Sequence, residues 1–451
     1  MSLEEFDVAI IGGGPGGSTV ATLVARRGRR VVLFEKEKFP RFHIGESLLP
    51  RNMEVFEELG VVEKLEQHGF QHKYGGEFVA GNGEGGATFR FIHALCNRYY
   101  QTYQVLRSDF DKLLLDHSRE NGADVREENA VREVRILPPH GVEVDVESAG
   151  RRQTIQAKML VDASGRDTFL ANKFKTKQPI NGLKKVAIYA HYRGGYRPQG
   201  KDAGNTVIVR ADEHSWFWMI PMKEDRVSVG LVTDAATVRA FQGEPAELFR
   251  LRIEQSPVMS ARLKDAELIS KFIVTSDFSY QSRQFVGDHW LLVGDSAVFL
   301  DPIFSTGVFL AMDGGSRAAR LIEKALAKGD FSARMFRSYE RERRKHIGLY
   351  FEMIFNYYRP ELMDLFAHPK NVLNVQRAIN SMLAGNVDGG IRLRSRMYVF
   401  YGLMRLQRKY GLVPRIDFSR IPEKPKLFAE DCCPPADDPS AVKREPHPAT
   451  T

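Results

Sequence analysis

A single turn restricts this chain more than any other part of it. Gly12-x-Gly14-x-x-Gly17 follows a β-branched run at residues 5–11, opens a helical pattern over about 15–27, and is succeeded by the apolar run VVLF and Glu35. Strand, tight turn, helix and strand in that order make a βαβ unit. Gly12 permits the sharp turn, Gly14 lets backbone approach a pyrophosphate, and Gly17 allows helix and strand to pack closely. The helix N-terminus, with Pro15 and Ser18 in its first turn, offers free N–H groups and positive potential to phosphate. Glu35, eighteen residues past Gly17 and followed by Lys36, is placed to accept from adenosine ribose hydroxyls. An acid there suits a 2′-hydroxyl and not a 2′-phosphate. A second match, Gly81-x-Gly83-x-x-Gly86, runs into ATFRF instead of a helical pattern and reads as a hairpin or loop.

Two later runs, KMLVDASG at 158–165 and WLLVGDS at 290–296, read as strands that return to the same sheet. Between them, KKVAIYAHYRG, NTVIVRA and DRVSVGLVT alternate as antiparallel strands do, which predicts a second, β-rich layer. From about 309 to 415 the pattern is helical. The stretch 421–451 holds seven of the 21 prolines and few large apolar groups, so it is read as a docked or disordered tail. The expected organisation is a discontinuous dinucleotide-binding domain (1–175 and 285–330), a β-sheet substrate domain (176–284, with part of 70–105), a helical C-terminal region (331–420) and the tail.

Composition narrows the classes. The 43% hydrophobic and 27% charged fractions belong to an ordinary globular chain. The net charge of +8 favours acidic ligands or partners, but no nucleic-acid motif accompanies it, so no nucleic-acid partner is expected. Cys96 and the adjacent Cys432 and Cys433 make no disulfide framework, which fits a reducing compartment. No window approaches the ~18 apolar residues of a membrane span. The N-terminal segment lacks the charged region and cleavage site of a signal peptide. A cytoplasmic protein is expected. His43, His72, His93 and His368 lack compact ligand spacing, so no metal site is predicted. No G-x-S-x-G elbow marks a serine hydrolase.

The nucleotide site suits NAD or FAD. Leu292-Val293-Gly294-Asp295, closely followed by a helical run near Gly307, places an acid and backbone amides near a flavin's ribityl chain and ring, which favours FAD. There is no second dinucleotide fingerprint for NAD(P)H.

Three further stretches join this pattern: Phe39-Pro40-Arg41-Phe42-His43-Ile44-Gly45-Glu46-Ser47, Trp216-Phe217-Trp218-Met219-Ile220-Pro221, and Phe299-Leu300-Asp301-Pro302-Ile303-Phe304-Ser305-Thr306-Gly307. With Gly12–Gly17 they resemble the flavin-dependent halogenases, whose WxWxIP and FxxPxxSxG patterns the second and third match. The resemblance runs from residue 6 to about 390. It implies an α/β fold with a Rossmann-like FAD-binding domain of the glutathione-reductase, p-hydroxybenzoate-hydroxylase-like type, a β-rich substrate layer and a helical C-terminal region. It also implies reduced FAD from a separate flavin reductase, a flavin hydroperoxide formed with O2, and attack on it by chloride or bromide. The resulting hypohalous acid travels a short tunnel to a lysine, by similarity Lys73, beside an electron-rich aromatic substrate.

On the same resemblance, Arg41, Gly45, Glu46, Ser47 and Arg107 lie along FAD, with Asp295, Pro302, Gly307 and Val308 on its other side. Thr306 and Gly307 hold the halide in a turn before a helix, where backbone N–H groups and the dipole attract an anion. Ser305 and Thr306 are equally suited to capping that helix. Trp216 and Trp218 alternate on a strand and so share a face. In the family they separate flavin from substrate. Asp109 and Asp111, in the helix that Arg107 opens, read as N-terminal-turn acids. Phe304 stands where tryptophan halogenases carry a glutamate, which shifts the expected substrate to phenolic or pyrrolic rings, free or tethered to an acyl or peptidyl carrier protein. The competing reading is a hydroxylase, epoxidase or geranylgeranyl-reductase-like enzyme of the same fold that uses no halide. A non-enzymatic flavoprotein is the third.

Overall fold

The computed structural model describes residues 3–95, 98–276, 279–369, 373–427 and 430–431. The three cysteines and the tail beyond Asp431 lie outside them. The βαβ unit forms as its spacing requires: strand Glu4–Ile11, helix Pro15–Ala25 and strand Val31–Phe34. Apolar residues fill Val8–Ile11 of the first strand and all of the second because helices cover the faces of a parallel sheet. Strand Glu4–Ile11 pairs in parallel with Val31–Phe34 on one side and with Arg151–Asp162 on the other. Trp290–Leu292 then adds in parallel beyond Arg151–Asp162, so both later runs do return to this sheet.

The second layer is a sheet of antiparallel neighbours, Lys185–Arg193, Arg226–Asp234, Trp216–Pro221 and Thr206–Arg210, extended in parallel by Gly75–Ala80. Gly75–Ala80 and Gly86–Arg90 form the hairpin expected around Gly81 and Gly83. Lys177–Pro179 stands apart from this layer, in a small sheet with Tyr280–Ser282 and Val298–Phe299. Period-2 alternation decides what each face does. Trp216, Trp218 and Ile220 join the large core shared with the nucleotide domain, whereas Phe217 and Met219 face a second core under helices Pro245–Glu254 and Pro257–Arg262. Pro221 ends a strand in the interior of the sheet, not at its edge.

The helical region comprises Thr306–Lys328, Ala333–Tyr357, Pro360–Ala367, Val375–Leu383 and Gly390–Tyr410. Thr306–Lys328 packs directly on the first helix. A Cβ on Gly315 would sit 2.8 Å from the carbonyl oxygen of Gly16, so only glycine allows this approach. From the tail, Lys426 N–H donates to Gly83 O, and Glu430–Asp431 pairs alongside Ala87 and Thr88.

Gly17 is the tightest point of the turn, since a Cβ there would lie 2.0 Å from the Gly12 oxygen. Gly17→Ala should lower stability by about 1–3 kcal/mol or more through overpacking. Thermal denaturation without added FAD should show the lowered midpoint.

Candidate active site

The glycine turn, the segment 41–47, the loop 163–167, the face of strand Trp216–Pro221 and the turn 294–308 enclose one cavity with room for about 360 Å³ of water-molecule centres. Among the residues expected at the cofactor, Gly12, Gly14, Pro15, Glu35, Lys36, Arg41, Gly45, Glu46, Ser47, Arg107, Asp295, Pro302, Gly307 and Val308 line it. Thr306, Trp216 and Trp218 line it too. Four predicted residues do not. Gly17 packs on Gly12, and the Ser18 hydroxyl donates to Gly13 O at 2.9 Å, so both shape the turn from behind. Phe304 is buried against Phe78 and Tyr357. Lys73 stands one hydrogen bond outside the wall.

A buried carboxylate organises the segment 41–47. Asp111 accepts from Arg107 Nε and Nη2 at 2.7 and 2.9 Å and from Arg41 Nη1 at 3.0 Å. The two guanidiniums hold its carboxyl below the usual range against the opposing effect of burial. Arg107 also donates to Ile44 O at 2.7 Å. Asp111 is thus an ion-cluster residue in the interior and not a helix-turn acid; Asp109 alone occupies the first turn. Helical spacing places residue 111 one turn after 107, and only the fold brings Arg41 to it.

The cavity fits FAD on its own chemistry. The first-turn N–H groups of helix Pro15–Ala25 have no intrahelical acceptor; Gly14 and Gly16 carry theirs at the wall, and Pro15 between them, which has no N–H, fixes the backbone for the turn. A Cβ on Gly14 would come no nearer than 3.8 Å to another group, leaving the approach open to phosphate. Glu35 is braced by N–H donors from Gly13 (2.8 Å) and Glu37 (2.9 Å), which aim its carboxylate at the wall. Glu46 Oε1 is 2.7 Å from His191 Nε2, while its buried Oε2 has no partner among the described residues. A flavin offers ring N–H and ribityl hydroxyl donors to such an acceptor. Asp295 is pushed up to about 6 by burial, with Arg107 and Arg166 opposing.

At the far side, Ser305 has φ 55° and precedes helix Thr306–Lys328. Its side chain makes no capping bond, so the capping expected of it is absent and the first-turn amides remain available. This is the physical requirement for an anion turn. Asp301 fixes the same turn by accepting from Ile303 N–H at 3.1 Å.

Each indole is pinned. Trp216 Nε1 donates to Tyr358 OH at 3.0 Å, and Tyr358 donates to Asp301 Oδ2 at 2.6 Å. Trp218 Nε1 donates to Ser228 Oγ at 3.2 Å, with its ring against Gly230, where a Cβ would lie 2.1 Å away. Sequence reading missed Asp301, Tyr358, His191 and the loop 163–167. Asp301 sat inside a recognised motif and the loop 163–167 at the end of a recognised strand run, KMLVDASG; Tyr358 and His191 carried no local signal of a role at the cavity.

Lys73 ends strand Gln71–Lys73 and is buried. Its Nζ donates to Ser47 Oγ at 2.8 Å and Leu48 O at 3.1 Å, 5.4 Å from the Phe91 ring centroid. Burial lowers its pKa to about 7. Ser47 and Thr206, whose hydroxyl oxygens are 2.9 Å apart, both line the cavity, so the cavity reaches the partner of Lys73 and not Lys73 itself. Among the described residues no three His, Cys, Asp or Glu side chains are grouped as metal ligands, and no helix is long and apolar enough to cross a membrane.

The fold and cavity define an FAD-dependent enzyme, and comparison with known proteins narrows the class. Residues 5–351 match the FAD binding domain family. The 1H-pyrrole-2-carbonyl-[peptidyl-carrier protein] chlorinase of Pseudomonas fluorescens is 33% identical over 87% of this chain and 92% of its own length. The corresponding brominase of Pseudoalteromonas luteoviolacea is 35% identical over 73% and 80%. A flavin-dependent brominase structure superposes with TM-score 0.79 at 30% identity, covering 89% of this chain and all of that one. A flavoprotein/dehydrogenase from Cytophaga hutchinsonii gives 0.84 at 29%, covering 90% and 100%. The chain belongs to the flavin-dependent halogenases, enzymes that use FAD and halide.

Two measurements test the electrostatics. Asp111→Asn leaves two guanidiniums without their carboxylate and should cost about 3–5 kcal/mol at neutral pH. The lowered pKa means this contribution exists above about pH 4 and is lost as pH falls, so denaturant midpoints of variant and wild type should converge in acid. Lys73 carries the opposite sign. Between its folded pKa of about 7 and the unfolded value of 10.5 the unfolded chain binds the extra proton. Wild-type stability should therefore rise with pH across that window relative to Lys73→Met, by about 4–5 kcal/mol in total.

Proposed function

We propose that this halogenase acts on an electron-rich aromatic ring, phenolic or pyrrolic and borne on a carrier protein, and that Lys73 delivers the halogen. The observation that carries this reading is the buried Lys73 amine, held by Ser47 just behind the wall of the cavity whose other wall contains the Thr306 turn. Support for the acceptor comes from the relatives named for pyrrole-2-carbonyl groups on a peptidyl carrier protein. Phe304, packed among aromatic rings, fits the same branch. Reduced FAD, delivered by a separate flavin reductase, supplies with O2, a proton and chloride or bromide the oxidation that yields hypohalous acid, oxidised FAD and water.

The protein's own groups do the rest. Amides at Thr306 and Gly307 hold the halide; Trp216 and Trp218 close the face of the cavity against the acceptor ring. Ser47 is the last wall residue before Lys73, and its hydroxyl keeps the amine directed at that wall. A lysine titrating near 7 serves as an ammonium that hydrogen-bonds and orients hypohalous acid, or as an amine that takes the halogen with release of water. Product formation falling above pH 7 marks the first, and rising marks the second.

Lys73→Ala should lower halogenated product by about 10²–10⁴-fold, the range of a positioned proton-transfer or delivery group. Reoxidation of reduced FAD should continue at the wild-type rate. Mass spectrometry of products alongside flavin absorbance reads both, and halogenation at the wild-type level would remove Lys73 from its role.

A further inference from the structure

The basic excess of the chain is not spread over its surface. Residues 390–420 hold eight Lys and Arg (Arg392, Arg394, Arg396, Arg405, Arg408, Lys409, Arg415, Arg420) against Asp417 alone, a net +7 of the total +8. The rest of the chain therefore sums to +1. Helix Gly390–Tyr410 supplies six of those cations and no acid. Its inner face, including Leu393, Met397, Phe400 and Met404, is buried in the main core, and the outer face is turned away from it, with Arg408 at the helix end 3.6 Å from Glu361 Oε1. That face exposes large apolar groups among the cations: Ile391 is 86%, Tyr398 66% and Tyr410 63% exposed. Ile391 and Tyr398 are seven residues apart and lie on one side of the helix.

The same helix borders a second cavity, lined mainly by apolar side chains. Phe400 and Leu403 of the helix and Leu412 and Val413 beyond it form one side; Phe89 and Phe366 form part of the other. Leu412, just past the end of the helix, is both a wall residue and exposed, so the cavity has an edge at the surface there. Phe89 precedes Phe91 by two residues, both rings belong to the main core, and the Phe91 ring lies beneath Lys73 Nζ.

We infer that the outer face of helix Gly390–Tyr410 docks an acidic protein that presents the acceptor ring on a thioester arm. The inference rests on the carrier reading above and assigns it a surface. Charge complementarity selects the partner: a face that exposes Arg392, Arg405 and Lys409 around isolated apolar anchors recruits an acidic protein surface and steers its encounter. A second copy of this chain would set two such patches face to face, which like charge opposes. A lipid surface would require a continuous apolar stripe; on the outer face Ile391, Tyr398, Leu406 and Tyr410 stand apart, interrupted by Ser395, Gly402 and cations, and the continuous stripe is turned inward.

The test uses the enzyme with FAD, a flavin reductase, NADH and bromide. Two acceptors are compared: pyrrole-2-carbonyl on a holo peptidyl carrier protein, and the same acyl group on a short uncharged thioester. Arg392→Glu/Arg405→Glu/Lys409→Glu reverses exposed charges on the patch; Arg27→Glu/Lys173→Glu/Lys324→Glu makes the same charge change at exposed sites elsewhere. The patch variant should lose about tenfold or more in kcat/KM on the carrier, mostly in KM, and stay within about twofold on the short thioester. Added salt should slow the wild type on the carrier and leave the patch variant unaffected. The control variant should match wild type.

Equal loss on both acceptors, no loss on the carrier, or equal loss in the control variant overturns the docking surface while leaving the carrier reading intact. Wild-type enzyme that halogenates free rings and ignores the carrier overturns both. Sedimentation of wild type but not the patch variant with anionic vesicles, or a dimer that the patch variant disperses, with carrier turnover unchanged, reassigns the face to lipid or to a second copy.

Discussion

The buried carboxylate of Asp111 holds the two ends of the site in one arrangement. It binds Arg107 and Arg41, and Arg107 in turn fixes the carbonyl of Ile44. The backbone that follows carries Glu46 toward the flavin side of the cavity and Ser47 toward Lys73. A charge this deeply buried persists only when paired and hydrogen-bonded, and two guanidiniums meet that condition. Losing the anion would free the segment 41–47 and disturb cofactor wall and lysine together. Gly45, at φ 104°, lets the chain pass within contact of Arg107, where a side chain would meet the guanidinium at 2.9 Å.

The cavity wall depends on a second constraint, the pleat of one interior strand. Because Trp216 and Trp218 project to the same side, both indoles enter the cavity wall, while Phe217 and Met219 anchor the strand from behind. Their N–H groups are satisfied by Tyr358 and Ser228, so neither ring carries an unpaired donor into an apolar wall. Through Tyr358 and Asp301 the position of Trp216 is tied to the turn at 301–307. Wall and turn are therefore joined by one chain of hydrogen bonds.

Much of this was legible in the residues. The glycine turn announces its geometry because φ and Cβ sterics act within a few positions. The alternation of the tryptophans and the hairpin at Gly81 and Gly83 are likewise local. Asp111 was misread because an acid early in a helix has a sufficient local explanation, and the competing one lies in Arg41, seventy residues away. Ser305 looked like a cap by residue type, yet its left-handed backbone turns the hydroxyl away from that task.

The amino-acid order alone determined the glycine turn of the nucleotide cradle, the turn that opens helix Thr306–Lys328 and the concentration of positive charge in residues 390–420, since each depends on neighbours in the chain. Packing decided the rest: that Lys73 is desolvated and waits behind Ser47, that Glu46 meets His191, and that the cationic helix turns its charges outward beside an apolar opening. Burial and long-range pairing arise from elements that meet only after sheets and helices assemble, and no short window of sequence contains both partners.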